Sequence, residues 1–78
     1  MKLGPLVAGP DPLVFAAEDD TGPLEVIVPT MVWEAYQAEA PGWMNGEDRQ
    51  DYALQMVELR LAREPVRAEG GLRIVRLG

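Results

Sequence analysis

Two short apolar segments separated by a polar turn begin the regular pattern of this chain. Residues 13–17 are apolar, and residues 24–28 are rich in the β-branched residues that favour strands. The segment between them, Glu18 to Pro23, contains acids and a glycine that suit a turn. We therefore predict an antiparallel hairpin of residues 13–17 and 24–28. Residues 1–12 contain three prolines and two glycines, and they form either an extra strand or a loosely packed N-terminal segment.

The hydrophobic period changes to that of a helix after Pro29. Thr30 is placed to cap a first helix over residues 31–40, which Pro41 and Gly42 end. The apolar positions of this helix share one face: Val32, Trp33, Tyr36 and Ala40.

A second helix is predicted over residues 46–64. Asn45 and Asp48 match a capping box at its start, and Pro65 stops it. Two final strands follow, over residues 66–68 and 72–77, joined across Glu69-Gly70-Gly71.

The resulting order, β-β-α-α-β-β, predicts an α+β fold. We expect a small antiparallel sheet with two helices packed on one face. A chain of 78 residues has room for one domain, spanning residues 1–78. A domain of this size without cysteine has no disulfide to add stability, so it depends on an efficient core or on a second chain.

The second helix carries apolar residues around most of its circumference. One interpretation is a central helix wrapped by the sheet and the first helix; the other is that one flank packs on a twin chain or another partner. If Met56 and Leu59 are buried, replacing either by alanine should cost roughly 2–5 kcal/mol. The apolar residues are Tyr52, Ala53, Leu54, Met56, Val57, Leu59, Leu61 and Ala62.

Histidine, cysteine and serine are all absent from the chain. Their absence removes the usual general base at neutral pH, the usual nucleophiles, and the nitrogen and sulfur ligands that transition metals prefer. Lys2, Thr21 and Thr30 are the remaining candidate nucleophiles besides the acids and tyrosines. We therefore expect no enzymatic activity, no cofactor and no metal site.

Charge is distributed unevenly along the chain. The net charge is −6; residues 1–48 carry nine acids and one base, whereas residues 49–78 carry four acids and six arginines. Such a field favours a protein partner with a basic surface and disfavours direct nucleic-acid binding. The arginines 60, 63, 67, 73 and 76 could converge into a basic patch, but pairing with Glu58, Glu64 and Glu69 is the preferred interpretation.

Three segments are candidates for partner binding. The acidic turn at residues 18–20 suits a solvated surface better than a cation site, because it lacks the spaced ligands of a calcium loop. Trp43 and Met44 lie in a loop outside any periodic pattern, where they act either as a lid on the core or as an exposed contact. The acids at the start of the second helix complete the set. The candidate residues are Glu18, Asp19, Asp20, Trp43, Met44, Glu47, Asp48 and Asp51.

These features favour a small acidic protein that acts by contact. We expect a cytoplasmic inhibitor of the kind encoded by phages or mobile elements, similar in action to anti-CRISPR proteins, that occupies a basic nucleic-acid-binding surface of a bacterial complex. The alternative is a homodimeric regulatory or accessory subunit, as antitoxins are. A hydrolase that uses Asp48 and Asp51 in a site shared between subunits is the least favoured hypothesis. No run of 18 apolar residues is present, so we expect no membrane association.

Overall fold

A computed structural model describes residues 1–78 as one five-stranded sheet with two helices, which confirms the α+β class. The elements are β1 (Lys2–Ala8), β2 (Leu13–Asp19), β3 (Gly22–Val28), α1 (Thr30–Glu39), α2 (Gly46–Leu61), β4 (Arg67–Glu69) and β5 (Leu72–Arg76). Neither helix has the length and apolar character needed to cross a bilayer.

The strand order is β1-β2-β3-β5-β4, and the sheet is mixed. The hairpin of β2 and β3 is confirmed, with antiparallel register from Leu13 opposite Val28 to Asp19 opposite Gly22. The prediction of an entirely antiparallel sheet is wrong, because β5 lies parallel to β3. The two helices and β4 separate these strands in sequence, and this long connection brings the chain back to run in the same direction.

Residues at the N-terminus form the edge strand β1. It pairs antiparallel with β2, with two irregularities in register between Leu3 and Ala8. The extra strand predicted for residues 1–12 is therefore present over Lys2–Ala8, and all of its residues except Leu3 are exposed. At the other edge, β4 and β5 form a hairpin whose two-residue turn, Gly70-Gly71, has positive φ angles of 59° and 82°. Glycine is favoured at such positions because it lacks the Cβ atom that would clash.

The starts of the two helices differ from each other in their capping. Asn45 caps α2 as predicted, because its side chain accepts a hydrogen bond from the Asp48 amide at 2.8 Å. The prediction that Thr30 caps α1 is wrong: Pro29 occupies the cap position and Thr30 is the first helical residue. The Thr30 hydroxyl instead lies 2.9 Å from the Pro10 carbonyl and 2.8 Å from Asp11 Oδ1. It thereby ties the segment between β1 and β2 to the start of α1.

The hydrophobic core lies between the helices and one face of the sheet. Phe15 of β2 packs on Trp33 of α1 with ring centroids 5.7 Å apart, and Tyr36 and Ala40 are buried as predicted. The five largest fully buried side chains belong to both layers and to the C-terminal residues: Val26, Val28, Val57, Val75 and Leu77.

Helix α2 packs on α1 and contributes to the core, as the interpretation as a central helix predicts, but it is not buried on all sides. Ala53, Val57 and Leu61, spaced four residues apart, reach the core, whereas Leu59 is 65% exposed. Residues four apart share a helix face and residue 59 lies on the opposite face from residue 57. The helix ends at Leu61 instead of residue 64, and the amides of Arg63 and Glu64 both donate to the Arg60 carbonyl.

Candidate interaction surface

The loop between the helices holds Trp43 in solvent. The Met44 amide donates to the Pro41 carbonyl at 3.0 Å. The Arg49 guanidinium donates to the carbonyls of Gln37 at 2.9 Å and Pro41 at 3.3 Å. These bonds fix the loop against α1 and α2, yet the Trp43 side chain is 77% exposed. Trp43 is therefore exposed and does not cover the core.

Trp43 forms one wall of a shallow groove of about 330 Å³ on the surface of α2. Four of the eight candidate residues line it, and the other two lining residues come from the next turns of the helix. We call this the acidic groove; its residues are Trp43, Met44, Asp48, Asp51, Tyr52 and Gln55.

The acidic groove carries two carboxylates and no basic side chain. Glu47 lies beside it in the first turn of α2, where acids interact favourably with the positive end of the helix dipole. The nearest arginine in sequence, Arg49, donates to backbone carbonyls. The groove therefore presents an aromatic ring beside uncompensated negative charge.

Asp48 and Asp51 are both exposed to solvent. A catalytic pair of carboxylates requires a site that excludes water and separates their pKa values. The groove is open to solvent in the single chain and does not by itself exclude water from the two carboxylates.

The second group of candidates, Glu18 to Asp20, lies at the turn between β2 and β3. Asp19 accepts a hydrogen bond from Arg73 of β5, and its Oδ1 accepts from the Thr21 hydroxyl at 2.8 Å. The Arg73 hydrogen bond, and then the one from Thr21, hold the pKa of the Asp19 carboxyl well below its usual value of 3.8. Asp19 thus serves the hairpin, and no hydrogen bond or salt bridge joins this turn to the acidic groove.

The acids of this protein do not converge into a group of three or more that could hold a metal ion. Glu18 lies opposite Lys2 in the pairing of β1 and β2, and Asp19 is engaged by Arg73. The two remaining candidates of the turn, Glu18 and Asp20, point to solvent.

Three of the five candidate arginines bind carboxylates instead of forming a basic patch. Arg60 pairs with Glu64 at 2.8 Å, and Arg76 pairs with Glu69 at 3.0 Å; Arg73 pairs with Asp19. These hydrogen bonds raise the pKa values of Arg60 and Arg76 and lower the pKa of Glu69. The interpretation as ion pairs is therefore confirmed for Glu64 and Glu69.

Glu58, the third acid proposed as a partner, forms no salt bridge. Arg63 and Arg67 also take part in none.

A second shallow groove, which the sequence pattern did not predict, lies at the C-terminal end of α2. Its apolar part contains the exposed Leu59, and Arg63 stands at its edge. A signal was available, because Leu59 lies outside the row formed by Ala53, Val57 and Leu61 on a helical projection. We call it the arginine groove; its residues are Met56, Leu59, Arg60, Ala62 and Arg63.

No family model, curated protein or solved structure matches this chain.

Proposed function

We propose that this chain is a small, acidic, non-enzymatic protein that binds a basic surface of a larger protein through its acidic groove. The observation that supports this most directly is the 77% exposure of Trp43 beside Asp48 and Asp51. Tryptophan is enriched among the residues that dominate binding energy, and exposing a large apolar ring to water is unfavourable without a partner.

The charges around the groove support a basic partner. The chain carries thirteen acids, and only Asp19, Glu64 and Glu69 form salt bridges. A field of this sign accelerates encounter with a positive surface and repels nucleic acid. We propose, as the specific form of this function, an inhibitor encoded by a phage or mobile element that covers a nucleic-acid-binding surface of a bacterial complex, as anti-CRISPR proteins do.

The direct test is a pull-down from bacterial lysate with immobilised wild-type protein. We expect retention of a nucleic-acid-binding protein at low salt and its loss at about 0.5 M salt, where surface charges are screened. Adding the wild-type protein to the purified partner should release the partner's DNA or RNA.

Matched variants localise the contact to the groove. Asp48→Asn with Asp51→Asn removes two charges from the groove, and Glu34→Asn with Glu39→Asn removes two exposed charges from α1. We expect the groove pair, and separately Trp43→Ala, to lose the partner while the α1 pair retains it. Equal retention by both pairs and by Trp43→Ala would contradict the proposal.

A second candidate function, a homodimeric regulatory or accessory subunit of the antitoxin kind, is favoured by the exposure of Leu59. A leucine that is 65% exposed on the side of α2 away from the core is available to a second chain. Sedimentation of the purified protein distinguishes this candidate from a strict monomer.

A further inference from the structure

The solvent-facing side of α2 has opposite charges at its two ends. The acidic groove occupies the N-terminal half of the helix and the arginine groove the C-terminal half. One line of residues runs along the helix from the acidic groove to the arginine groove. At 100° per residue, the positions on this line fall within an arc of about 80° around the helix axis. We call this line the outer stripe; its residues are Asp48, Tyr52, Gln55 and Leu59 of α2 and Arg63 of the turn that follows the helix.

The spacing of the outer stripe is that of a helix–helix contact. Its first four positions, 48, 52, 55 and 59, are spaced by four, three and four residues, as the a and d positions of a coiled coil are; Arg63 follows four residues later. The stripe faces away from Val57, which is fully buried in the core. Helix α2 therefore has one side on its own sheet and a second, unpartnered side with the periodicity to pack on a helix.

We propose that the occupant of the outer stripe is the same helix of a second copy, running antiparallel. A two-fold axis near Gln55 and Met56 places Tyr52 of each copy opposite Leu59 of the other. The same axis places Asp48 opposite Arg63, so that opposite charges meet twice. In a parallel arrangement Asp48 would meet Asp48, and like charges would repel.

The charges at the two ends of the stripe are free for this contact. Neither Asp48 nor Arg63 takes part in a salt bridge within the chain, and both side chains are exposed. Trp43, next to the acidic end, would cover the apolar part of the other copy's arginine groove. The contact uses one helix and one loop from each chain, which places it among small interfaces. We therefore expect a weak dimer, with a dissociation constant in the micromolar to millimolar range.

The dimer would occupy the acidic groove, so self-association competes with the partner binding proposed above. The proposed dimer does not depend on the proposed binding of a basic partner. Arg63→Glu removes the dimer contact but leaves Trp43, Asp48 and Asp51 in place. A protein that carries this variant should bind the basic partner at least as well as the wild type does, so failure of either proposal is recognised separately.

Charge reversal tests the antiparallel register. Asp48→Arg and Arg63→Glu should each weaken the dimer at least about tenfold in sedimentation equilibrium, which corresponds to about 1.4 kcal/mol. Asp48→Arg lowers the magnitude of the net charge, so a general effect of net charge predicts the opposite result. The double variant Asp48→Arg/Arg63→Glu should restore the dimer, because opposite charges again meet at both ends.

A control and a mixing experiment complete the test. Glu58→Arg makes the same change in net charge at an exposed position off the stripe and should leave the dimer unchanged. Mixing the Asp48→Arg chain with the Arg63→Glu chain should produce a heterodimer, with circular dichroism showing that both chains are folded. A wild-type monomer at every concentration, or a double variant and a mixture that both fail to associate, would overturn the proposal.

Discussion

The acidic side chains of this protein have one of two environments. Asp19, Glu64 and Glu69 are held by arginines, and their charges organise the chain itself. The other acids have no ion-pair partner, and two of them, Asp48 and Asp51, lie in the acidic groove with Trp43. Sequence position did not distinguish the two environments, because Asp19 and its neighbour Asp20 look alike until β5 brings Arg73 to the turn.

The Asp19–Arg73 pair makes stability depend on pH. Its lowered pKa means that the folded state binds a proton less readily than the unfolded state, so the pair stabilises the fold above the usual value of 3.8. This contribution is lost as the pH falls from that value towards the lower pKa of the folded state. Asp19→Asn should therefore unfold at a lower urea concentration than wild type at pH 7, and the difference should shrink at acidic pH.

Asp20→Asn is the matched control for that comparison, because Asp20 lies in the same turn and is exposed. Its unfolding midpoint should stay close to that of the wild type. A difference between Asp19→Asn and wild type that is equal at neutral and acidic pH would show that the charge of Asp19 is not its cause.

Substitutions of the two tryptophans should differ in their effect on the free energy of unfolding. Trp33 packs on Phe15 beside the core, and Trp33→Ala should cost about 2 kcal/mol or more. Trp43→Ala should change the free energy of unfolding by less than about 0.5 kcal/mol, because its side chain contributes little to the core. Urea denaturation followed by circular dichroism measures both; a large loss at Trp43 would mean that the loop belongs to the core after all.

At the scale of the element, α2 combines a buried side and a solvent-facing side. Its buried side fixes the helix on the sheet through Ala53, Val57 and Leu61. The same helical period that places these residues inwards places Leu59 outwards. Apolar residues on both sides of the helix made its burial ambiguous in the sequence, because periodicity alone does not show which side the sheet covers.

Two leucines of α2 provide a matched test of this arrangement. Leu61 is 4% exposed, and Leu61→Ala should cost roughly 2–5 kcal/mol, a large part of the stability of so small a domain. Leu59→Ala should lower the free energy of unfolding by less than about 0.5 kcal/mol, because Leu59 is exposed. The larger loss stated above for a buried Leu59 therefore does not apply. Equal losses at both positions in urea denaturation would contradict the assigned face of the helix.

Local elements were predictable from the sequence because local signals specify them. The β2–β3 hairpin follows from β-branched residues around a polar turn, and the start of α2 follows from Asn45. The parallel pairing of β3 with β5 depends on contacts between residues almost fifty positions apart, such as Val26 opposite Val75. No local sequence pattern indicates this parallel pairing. The acidic groove was partly predictable, since the Trp43 loop and the acids of α2 are neighbours along the chain.

At the scale of the whole molecule, the helical layer carries most of the unpaired negative charge. Six acids and two arginines lie between Thr30 and Leu61; Arg60 is paired with Glu64, and Arg49 donates to backbone carbonyls. The core is on the other side of this layer, so a contact on the outer side of α2 leaves the fold unchanged. We therefore assign stability to the sheet side of α2 and propose its outer side as the recognition surface.

The most direct test of this assignment is a concentration series of amide and indole chemical shifts in ¹⁵N-labelled protein. If the outer side of α2 is the contact surface, the signals of the Trp43 indole and of the outer-stripe amides shift with concentration, while those of the Trp33 indole and of the amides of β2 and β3 do not. Shifts that concentrate on the edge strand β1 or on the uncovered face of the sheet, or spectra that stay identical at every concentration, would contradict it.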